Sequence, residues 1–257
     1  MLKQIIETKR KELKELVQPN EINVLRKSLY KALATPKRSI GLISEVKKAS
    51  PSKGVIREDF HPELIAKGYE EGGADALSVL TDQVYFQGHR DYLSAIKQLV
   101  DLPILRKDFI IHPIQIEESV RMGADAILLI AGVMPNKDLK RLYEEATATG
   151  LECLVEVHEK EELESLLELF TPAIIGVNNR NLKTFTTDLT QTELIGELVP
   201  KESLFVSESG IHTYEDLQKV RNAGANAVLV GESLMKADTP QKGIQTLFGG
   251  ESVEATS

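Results

Sequence analysis

A short stretch near residue 45 brings acidic and basic side chains together at the end of an apolar segment. Residues 40–46 are mostly apolar and rich in β-branched side chains, which predicts a buried strand, and a turn sequence follows at 50–54. Because strand side chains alternate between faces, Glu45 and Lys47 lie on the same face. Such a pair is either a structural ion pair or an acid–base site. The other predicted strand ends bear on that choice.

Helical and strand patterns alternate along the rest of the chain. Apolar runs predict eight strands, which begin near residues 40, 76, 103, 126, 152, 173, 204 and 227. A Gly-Ala-(Asp/Asn)-Ala repeat at 73–76, 123–126 and 224–227 ends a helix and opens a strand each time. Repeated strand–helix units predict parallel strands, and eight units close a barrel. We therefore expect an α/β fold, a (βα)8 TIM barrel, as a single domain over residues 1–257.

Segments outside the repeated units are assigned separately. A doubly wound open sheet is the structural alternative, but no G-x-G-x-x-G sequence follows the first strand. Amphipathic patterns over residues 2–17 and through Leu25, Leu29 and Leu33 predict an N-terminal helical extension within residues 1–38. Residues 249–257 are expected to form a flexible tail.

Composition excludes several classes of protein. The chain has 31 basic and 39 acidic residues and a net charge of −8, which argues against a surface for nucleic acid or anionic membranes. An anionic ligand therefore needs a local positive site. The only cysteine is Cys153, so neither a disulfide nor a thiolate metal cluster is expected. The charged N-terminus resembles neither a signal peptide nor a membrane span, and a cytoplasmic location is the default expectation.

Charged side chains recur where the predicted strands end, and in this fold the active site lies at the C-terminal ends of the strands. Any one of them could belong to a structural ion pair. Five converging on one mouth predict a catalytic site, with Asn178, Phe109 and Arg180 beside it. The five are Glu45, Lys47, Lys107, Glu156 and Glu208.

The last two strand ends are rich in small residues. Ser209-Gly210 follows the seventh strand and Gly231-Glu232-Ser233 follows the eighth, where such barrels commonly bind phosphate. Ser50 and Lys53 could close over the same anion, whereas the Glu232 side chain must point away from it. His158 shares a strand face with Glu156, but a third ligand of matching spacing is missing, so no metal site is expected.

Five motifs in order resemble the indole-3-glycerol-phosphate synthase family of tryptophan biosynthesis. They are Glu-Val-Lys-Lys-Ala-Ser-Pro-Ser at 45–52, Leu-Arg-Lys-Asp-Phe-Ile at 105–110, Leu-Val-Glu-Val at 154–157, Ile-Gly-Val-Asn-Asn-Arg-Asn-Leu at 175–182 and Ser-Glu-Ser-Gly-Ile at 207–211. The resemblance implies a carboxy-lyase, that is, a decarboxylating lyase. It would convert 1-(2-carboxyphenylamino)-1-deoxyribulose 5-phosphate into indole-3-glycerol phosphate, carbon dioxide and water, without cofactor or metal. It also implies an N-terminal extension near the barrel mouth.

The resemblance also implies roles for individual side chains. Lys107 is the principal general acid and Glu156 its acid–base partner. The pKa of Lys107 is expected to be lowered by burial and by Lys47, while the neighbouring glutamates keep the group sufficiently protonated. Lys47 contacts the substrate carboxylate, while Glu45 and Glu208 hold the lysines and the substrate hydroxyls. The remaining residues implied to bind substrate are Asn178 near the hydroxyls or amine, Phe109 along the anthranilate ring, Arg180 as an electrostatic anchor, and Ser50, Ser209, Gly210, Gly231 and Ser233 around the phosphate.

Other functions remain open at this point. A phosphoribosylanthranilate isomerase or a pentose-phosphate lyase also uses a phosphate-binding barrel, and a non-catalytic barrel that binds phosphorylated ligands is a further alternative. The set Glu45, Lys47, Lys107 and Glu156 favours the synthase. The expected partner is a phosphorylated small molecule, with neither nucleic acid nor membrane, and a monomer is expected, with a dimer as the alternative.

Overall fold

Eight parallel strands close into a barrel in the computed structural model, which describes residues 1–181 and 186–253. The first strand pairs with both the second and the eighth: Ile43 lies opposite Ala76 on one side and Leu229 on the other. The predicted (βα)8 TIM barrel is therefore confirmed. Its strands are Gly41–Val46, Ala76–Leu80, Ile104–Lys107, Ala126–Ile130, Glu152–Val157, Ile174–Asn178, Leu204–Glu208 and Ala227–Val230.

Helices follow each barrel strand and pack their apolar faces against the outside of the barrel. Two elements were not predicted: the short helix Glu232–Lys236 and a small antiparallel hairpin, Ala49–Ser50 with Gly54–Val55, in the loop after the first strand. The other helices after the strands are Pro62–Glu71, Arg90–Lys97, Pro113–Arg121, Asn136–Ala148, Lys160–Leu167, Thr190–Gly196, Tyr214–Asn222 and Pro240–Leu247.

The Gly-Ala-(Asp/Asn)-Ala repeat fixes the turn from helix to strand in two ways. Each glycine has a positive φ, between 82° and 96°, which ends the preceding helix as predicted. The third residue then ties the turn to the barrel, because its side-chain oxygen accepts a backbone N–H from the preceding strand. These bonds join Asp75 to Leu42, Asp125 to Ile104 and Asn226 to Phe205, each at 2.8 Å.

The N-terminal extension reaches both ends of the barrel. Its first helix, Leu2–Glu12, lies at the C-terminal mouth, as the family resemblance implied. Its second helix, Leu29–Ala34, lies at the opposite end, where Leu29 and Leu33 join the apolar residues inside the barrel. The second helix therefore closes the bottom of the barrel and does not take part in the site.

The chain end is tied to the start of the barrel. The Glu251 carboxylate accepts hydrogen bonds from the backbone N–H and the hydroxyl of Ser39, both at 2.8 Å, and the Arg38 guanidinium donates to the Glu251 carbonyl. This part of the predicted tail is anchored, and residues 254–257 lie outside the described residues. Among the residues described, no helix has both the length and the apolar character needed to cross a membrane.

Candidate active site

A cavity of about 1180 Å³, including its open mouth, lies at the C-terminal ends of the strands. Two residues expected to bind substrate, Lys53 and Ser233, lie outside its lining. Lys53 is exposed, and the Ser233 hydroxyl donates to the carbonyl of Ile211. The expected site residues that the cavity brings together are Glu45, Lys47, Ser50, Lys107, Phe109, Glu156, Asn178, Arg180, Glu208, Ser209, Gly210 and Gly231.

At the centre of the cavity, one lysine lies between two buried carboxylates. Lys107 Nζ is 3.0 Å from Glu156 Oε2 and 3.1 Å from Glu208 Oε2. The three residues end the third, fifth and seventh strands, and their side chains point into the barrel because each shares strand parity with an interior leucine or valine. Burial makes unpaired charges costly, so the two carboxylates and the lysine stabilise one another.

The pKa expected for Lys107 was wrong. Burial by itself would lower the pKa of the ammonium group, but the negative charges of Glu156, Glu208 and Glu45 outweigh burial and raise it. For Glu156, burial works toward a higher pKa, and Lys107 together with His158 outweighs it, so the pKa of Glu156 falls below its usual range. Lys107 and Glu156 are therefore both charged near neutral pH.

Glu208 differs from Glu156 although both contact Lys107. Burial and the neighbouring Glu156 carboxylate raise the pKa of Glu208 to about 8. Its second oxygen, Oε1, is buried with no hydrogen-bond partner in the part of the chain described, and it lies where a side chain on Gly176 would collide with it. Glu208 therefore holds a proton to a higher pH than Glu156 does.

A second ion pair lies at the end of the first strand. Lys47 Nζ is 2.5 Å from Glu45 Oε1, and the Glu45 side chain is almost fully buried. Gly231, after the eighth strand, makes room for this pair, because a Cβ atom at that position would collide with the Glu45 carboxylate. Gly231 therefore leaves space for the ion pair, in addition to its expected place beside an anion.

The loops after the sixth and seventh strands are held by a residue for which the sequence analysis gave no role. The Asn179 amide donates to Ser207 Oγ and to the carbonyl oxygens of Glu208 and Ser209, at 3.0 to 3.1 Å. Ser209 has a left-handed backbone with φ of 66°, which a residue other than glycine adopts at a cost and which clusters at functional sites. Asn179 therefore fixes a strained turn beside Glu208. Asn178, its neighbour, accepts the backbone N–H of Arg180.

Cations collect at the side of the cavity formed by the last two strand ends. Arg180 donates to Ser52 Oγ at 2.5 Å and lies 3.8 Å from Glu232. The Glu232 side chain, expected to point away from a bound phosphate, lines the cavity and also pairs with Lys53 at 3.6 Å and with Lys236 at 2.7 Å. Three cations contact this one carboxylate, Arg180 from the cavity wall and Lys53 and Lys236 from outside the lining, so positive charge exceeds negative charge around Glu232.

The opposite wall is apolar and includes the N-terminal helix. Ile5 from that helix lines the cavity, and the rings of Phe86 and Phe109 pack with centroids 6.2 Å apart. The helix is fastened by Lys9, whose buried ammonium lies 2.9 Å from Asp108 and 3.1 Å from Asp82. The sequence alone gave no sign of this anchor, because the helical pattern does not show what Lys9 contacts.

His158 is the remaining ionisable group next to the cluster. Its Nε2 lies 3.1 Å from Glu156 Oε1, on the side away from Lys107. The shared strand face of Glu156 and His158 was the signal in the sequence, and it was weighed there only as a possible pair of metal ligands. Across the described residues, no group of three or more side chains has the arrangement that could hold a metal ion.

Opposed lysines and carboxylates at the mouth of a (βα)8 barrel, beside a cationic pocket, define an acid–base enzyme of the barrel class that acts on an anionic small molecule. A family model described as indole-3-glycerol phosphate synthase matches residues 2–247. The chain belongs to this family, as the motifs indicated.

Relatives of known description agree over nearly the full length. The indole-3-glycerol phosphate synthase of Halalkalibacterium halodurans is 61% identical over 253 residues, 98% of each chain. That of Geobacillus sp. is 63% identical over 249 residues, 96% of each chain. Among solved structures, the N-acetylmannosamine-6-phosphate 2-epimerase of Clostridium perfringens is similar with a TM-score of 0.62 at 16% identity, covering 88% of this chain and 97% of that one. Similarity at that identity shows the fold alone.

Proposed function

We propose that this chain converts 1-(2-carboxyphenylamino)-1-deoxyribulose 5-phosphate into indole-3-glycerol phosphate, releasing carbon dioxide and water. The observation that carries the proposal is Lys107, held between Glu156 and Glu208 at 3.0 and 3.1 Å inside a cavity with one apolar and one cationic side. The substrate has matching parts: an aromatic ring, a sugar chain and a phosphate. The chain is thus a carboxy-lyase of tryptophan biosynthesis.

Ring closure is the step that needs a charged acid in this position. The anthranilate ring carbon attacks the ribulose carbonyl, and the oxygen of that carbonyl gains negative charge. Lys107, kept protonated by its two carboxylates, donates a proton to this oxygen. Carbon dioxide then leaves, and the electron pair of the broken bond restores the aromatic ring. In the later loss of water, the new hydroxyl takes a proton from an acid of the cluster and leaves, and the ionised Glu156 accepts the proton that the five-membered ring gives up.

The remaining groups orient the substrate. Lys47 contacts the carboxylate that is lost as carbon dioxide, and Glu45 holds Lys47 at 2.5 Å. Phe109 lies along the anthranilate ring, and Asn178 binds near the substrate hydroxyls. Such positioning converts a collision between two groups into a reaction within one bound molecule.

The phosphate binds on the cationic side of the cavity. Arg180 supplies positive charge there and Lys53 supplies more from the rim. The geometry of the turn at Ser209, together with the small residues around it, allows backbone groups to approach an anion closely. The groups proposed to hold the phosphate directly are Ser50, Ser209, Gly210 and Gly231, and Ser233, outside the lining, steadies the loop through its hydrogen bond to Ile211.

The proposed enzyme is a cytoplasmic monomer that uses neither a metal nor an organic cofactor. Sedimentation of the purified chain tests the oligomeric state, and a single species with twice the mass of the chain would establish the dimer instead. Full activity after dialysis against a chelator is the expected result for the metal-free reaction.

The decisive experiment supplies the carboxyphenylamino substrate to the purified chain with a chelator present and follows the rise of indole fluorescence. We expect a saturable rise in the native chain and none in Glu156→Gln, which keeps the size of the side chain but removes its charge. Binding of the substrate without any rise would refute the activity and leave a barrel that binds phosphorylated ligands. Formation of a different product would identify another phosphate-binding barrel enzyme.

A further inference from the structure

The His158 ring is buried between two carboxylates, and this environment suggests that it does more than fill space beside the fifth strand. The side chain follows the fifth strand on the same face as Glu156, and only 9% of it is exposed. Nε2 lies 3.1 Å from Glu156 Oε1, and Nδ1 lies 3.7 Å from Glu162 Oε2. Burying an imidazole between two carboxylates is favourable when the ring carries a positive charge.

Glu162 is itself held in a fixed position behind the imidazole. It occupies the first turn of the helix Lys160–Leu167, and its Oε2 accepts the backbone N–H of His158 at 2.7 Å. Its other oxygen lies against Gly132, where a side chain would collide with it. The fifth strand contributes Glu156 and the following helix contributes Glu162, and these two carboxylates are the charged groups that face the ring.

Glu156 consequently has a cation on each oxygen. Lys107 contacts Oε2 and His158 contacts Oε1. The contact with His158 is an ion pair without the geometry of a directed hydrogen bond, since the buried Nε2 has no hydrogen-bond partner among the described residues. The charge of the ring matters here more than its ability to donate.

A charged His158 also offsets part of the negative charge around Glu156. The cluster contains the carboxylates of Glu45, Glu156 and Glu208 and the two lysines Lys47 and Lys107. With a neutral ring, Glu156 would keep Lys107 as its cation but lose the positive charge beside its Oε1, and its pKa would rise.

We propose that His158 is a positioning residue of the reaction, a buried cation that keeps Glu156 ionised and turned toward Lys107. This inference rests on the proposed function, in which Glu156 acts as a base. The two carboxylates, which raise the pKa of His158 to about 10 against the opposing effect of burial, keep the ring charged at neutral pH. His158 itself lies outside the cavity lining and does not touch the substrate.

Two variants separate charge from shape. His158→Gln keeps a polar side chain without charge, and His158→Lys keeps the positive charge. The acid limb of the kcat/KM profile reports the essential base of the free enzyme, here the coupled Glu156 and Glu208 pair. We expect this limb to move upward by about one pH unit or more in His158→Gln and to stay near the native position in His158→Lys. The exposed His61→Gln serves as the matched control.

The charge of His158 can also be measured directly, whether or not the chain has the proposed activity. In nitrogen-15 NMR spectra of the native chain, an imidazolium with both ring nitrogens protonated is expected at about pH 8, below the pKa of about 10. A neutral ring at that pH would overturn the proposal. The proposal would also be overturned if the acid limb of the kcat/KM profile moved equally in His158→Gln and His158→Lys, or moved in neither. An inactive native chain with a charged ring would contradict the proposed function instead.

Discussion

Replacing Lys107 with methionine tests the centre of the site, because methionine keeps much of the length of the side chain and removes its charge. In the native chain the Lys107 ammonium contacts Glu156 at 3.0 Å and Glu208 at 3.1 Å. After the replacement His158 still faces Glu156, but Glu208 has lost its cation. Since the pKa of Glu208 is about 8 even with Lys107 present, Glu208 should be protonated at neutral pH in the variant.

The kinetic effect follows from the loss of a positioned acid. General acid catalysis by one side chain contributes roughly 10²- to 10⁴-fold, so kcat should fall by about that factor, which corresponds to about 3 to 5 kcal/mol in the barrier. Substrate affinity should change less, because the cationic and apolar sides of the cavity remain. Indole fluorescence gives kcat, and calorimetric titration with the product gives affinity. An activity within tenfold of native would refute the assignment of Lys107 as the acid.

Stability provides a second measurement with a definite sign. In the variant, the folded-state pKa of Glu208 lies above its unfolded value of about 4.3, so at low pH the buried carboxyl is neutral and needs no cation. As the pH rises through the folded pKa, the unfolding free energy of the variant falls, because a buried carboxylate forms without its cation. The native chain keeps Lys107 protonated over this range. The deficit in unfolding free energy of Lys107→Met should therefore be larger at about pH 9 than at about pH 6. The same deficit at both values, or the same behaviour in the exposed control Lys67→Met, would contradict this reasoning.

Two further predictions concern the N-terminal extension. Lys9→Met leaves the buried Asp82 without its cation, while Asp108 keeps its ion pair with Arg106 at 3.1 Å. We therefore expect about 3 kcal/mol of destabilisation, the lower end of the range for breaking a buried pair, and a raised KM, measured by chemical unfolding and by the fluorescence assay. Exposed Lys11→Met on the same helix should change neither. Leu33→Ala removes apolar volume from the closed end of the barrel and should lower the unfolding free energy by about 2 to 5 kcal/mol, with kcat unchanged. A fall in kcat while the variant is fully folded would show that this end of the barrel affects the site.

The sequence predicted the barrel well because its signals are local. Each barrel strand is a short buried apolar run, and the observed strands agree with the expected ones to within about one residue. The helices of the extension were less predictable. The first ends at Glu12, although its apolar pattern continues to Val17, and the second begins at Leu29. Leu25, which fits the helical spacing, is 88% exposed.

The physical reason is that residues before the second helix bond to the barrel and not to one another. The backbone N–H of Ile22 donates to the carbonyl of Arg121, and that of Lys27 donates to Asp125. Sequence spacing cannot reveal partners so far along the chain. The same limit applies to Lys9, whose partners follow the second and third strands, whereas strand parity alone was sufficient to bring Glu45, Lys107 and Glu156 to one cavity.

The pKa values within the cluster also explain why two glutamates around one lysine are not redundant. Lys107 has a raised pKa, so it donates a proton readily only when the negative charge around it falls. Glu208, with a pKa of about 8, can be neutral or charged near neutral pH, while Glu156 stays ionised beside His158. Protonation of Glu208 thus removes one of the charges that hold the proton on Lys107. Through this coupling, Glu208 would adjust the strength of Lys107, the proposed acid, without touching the reacting carbon.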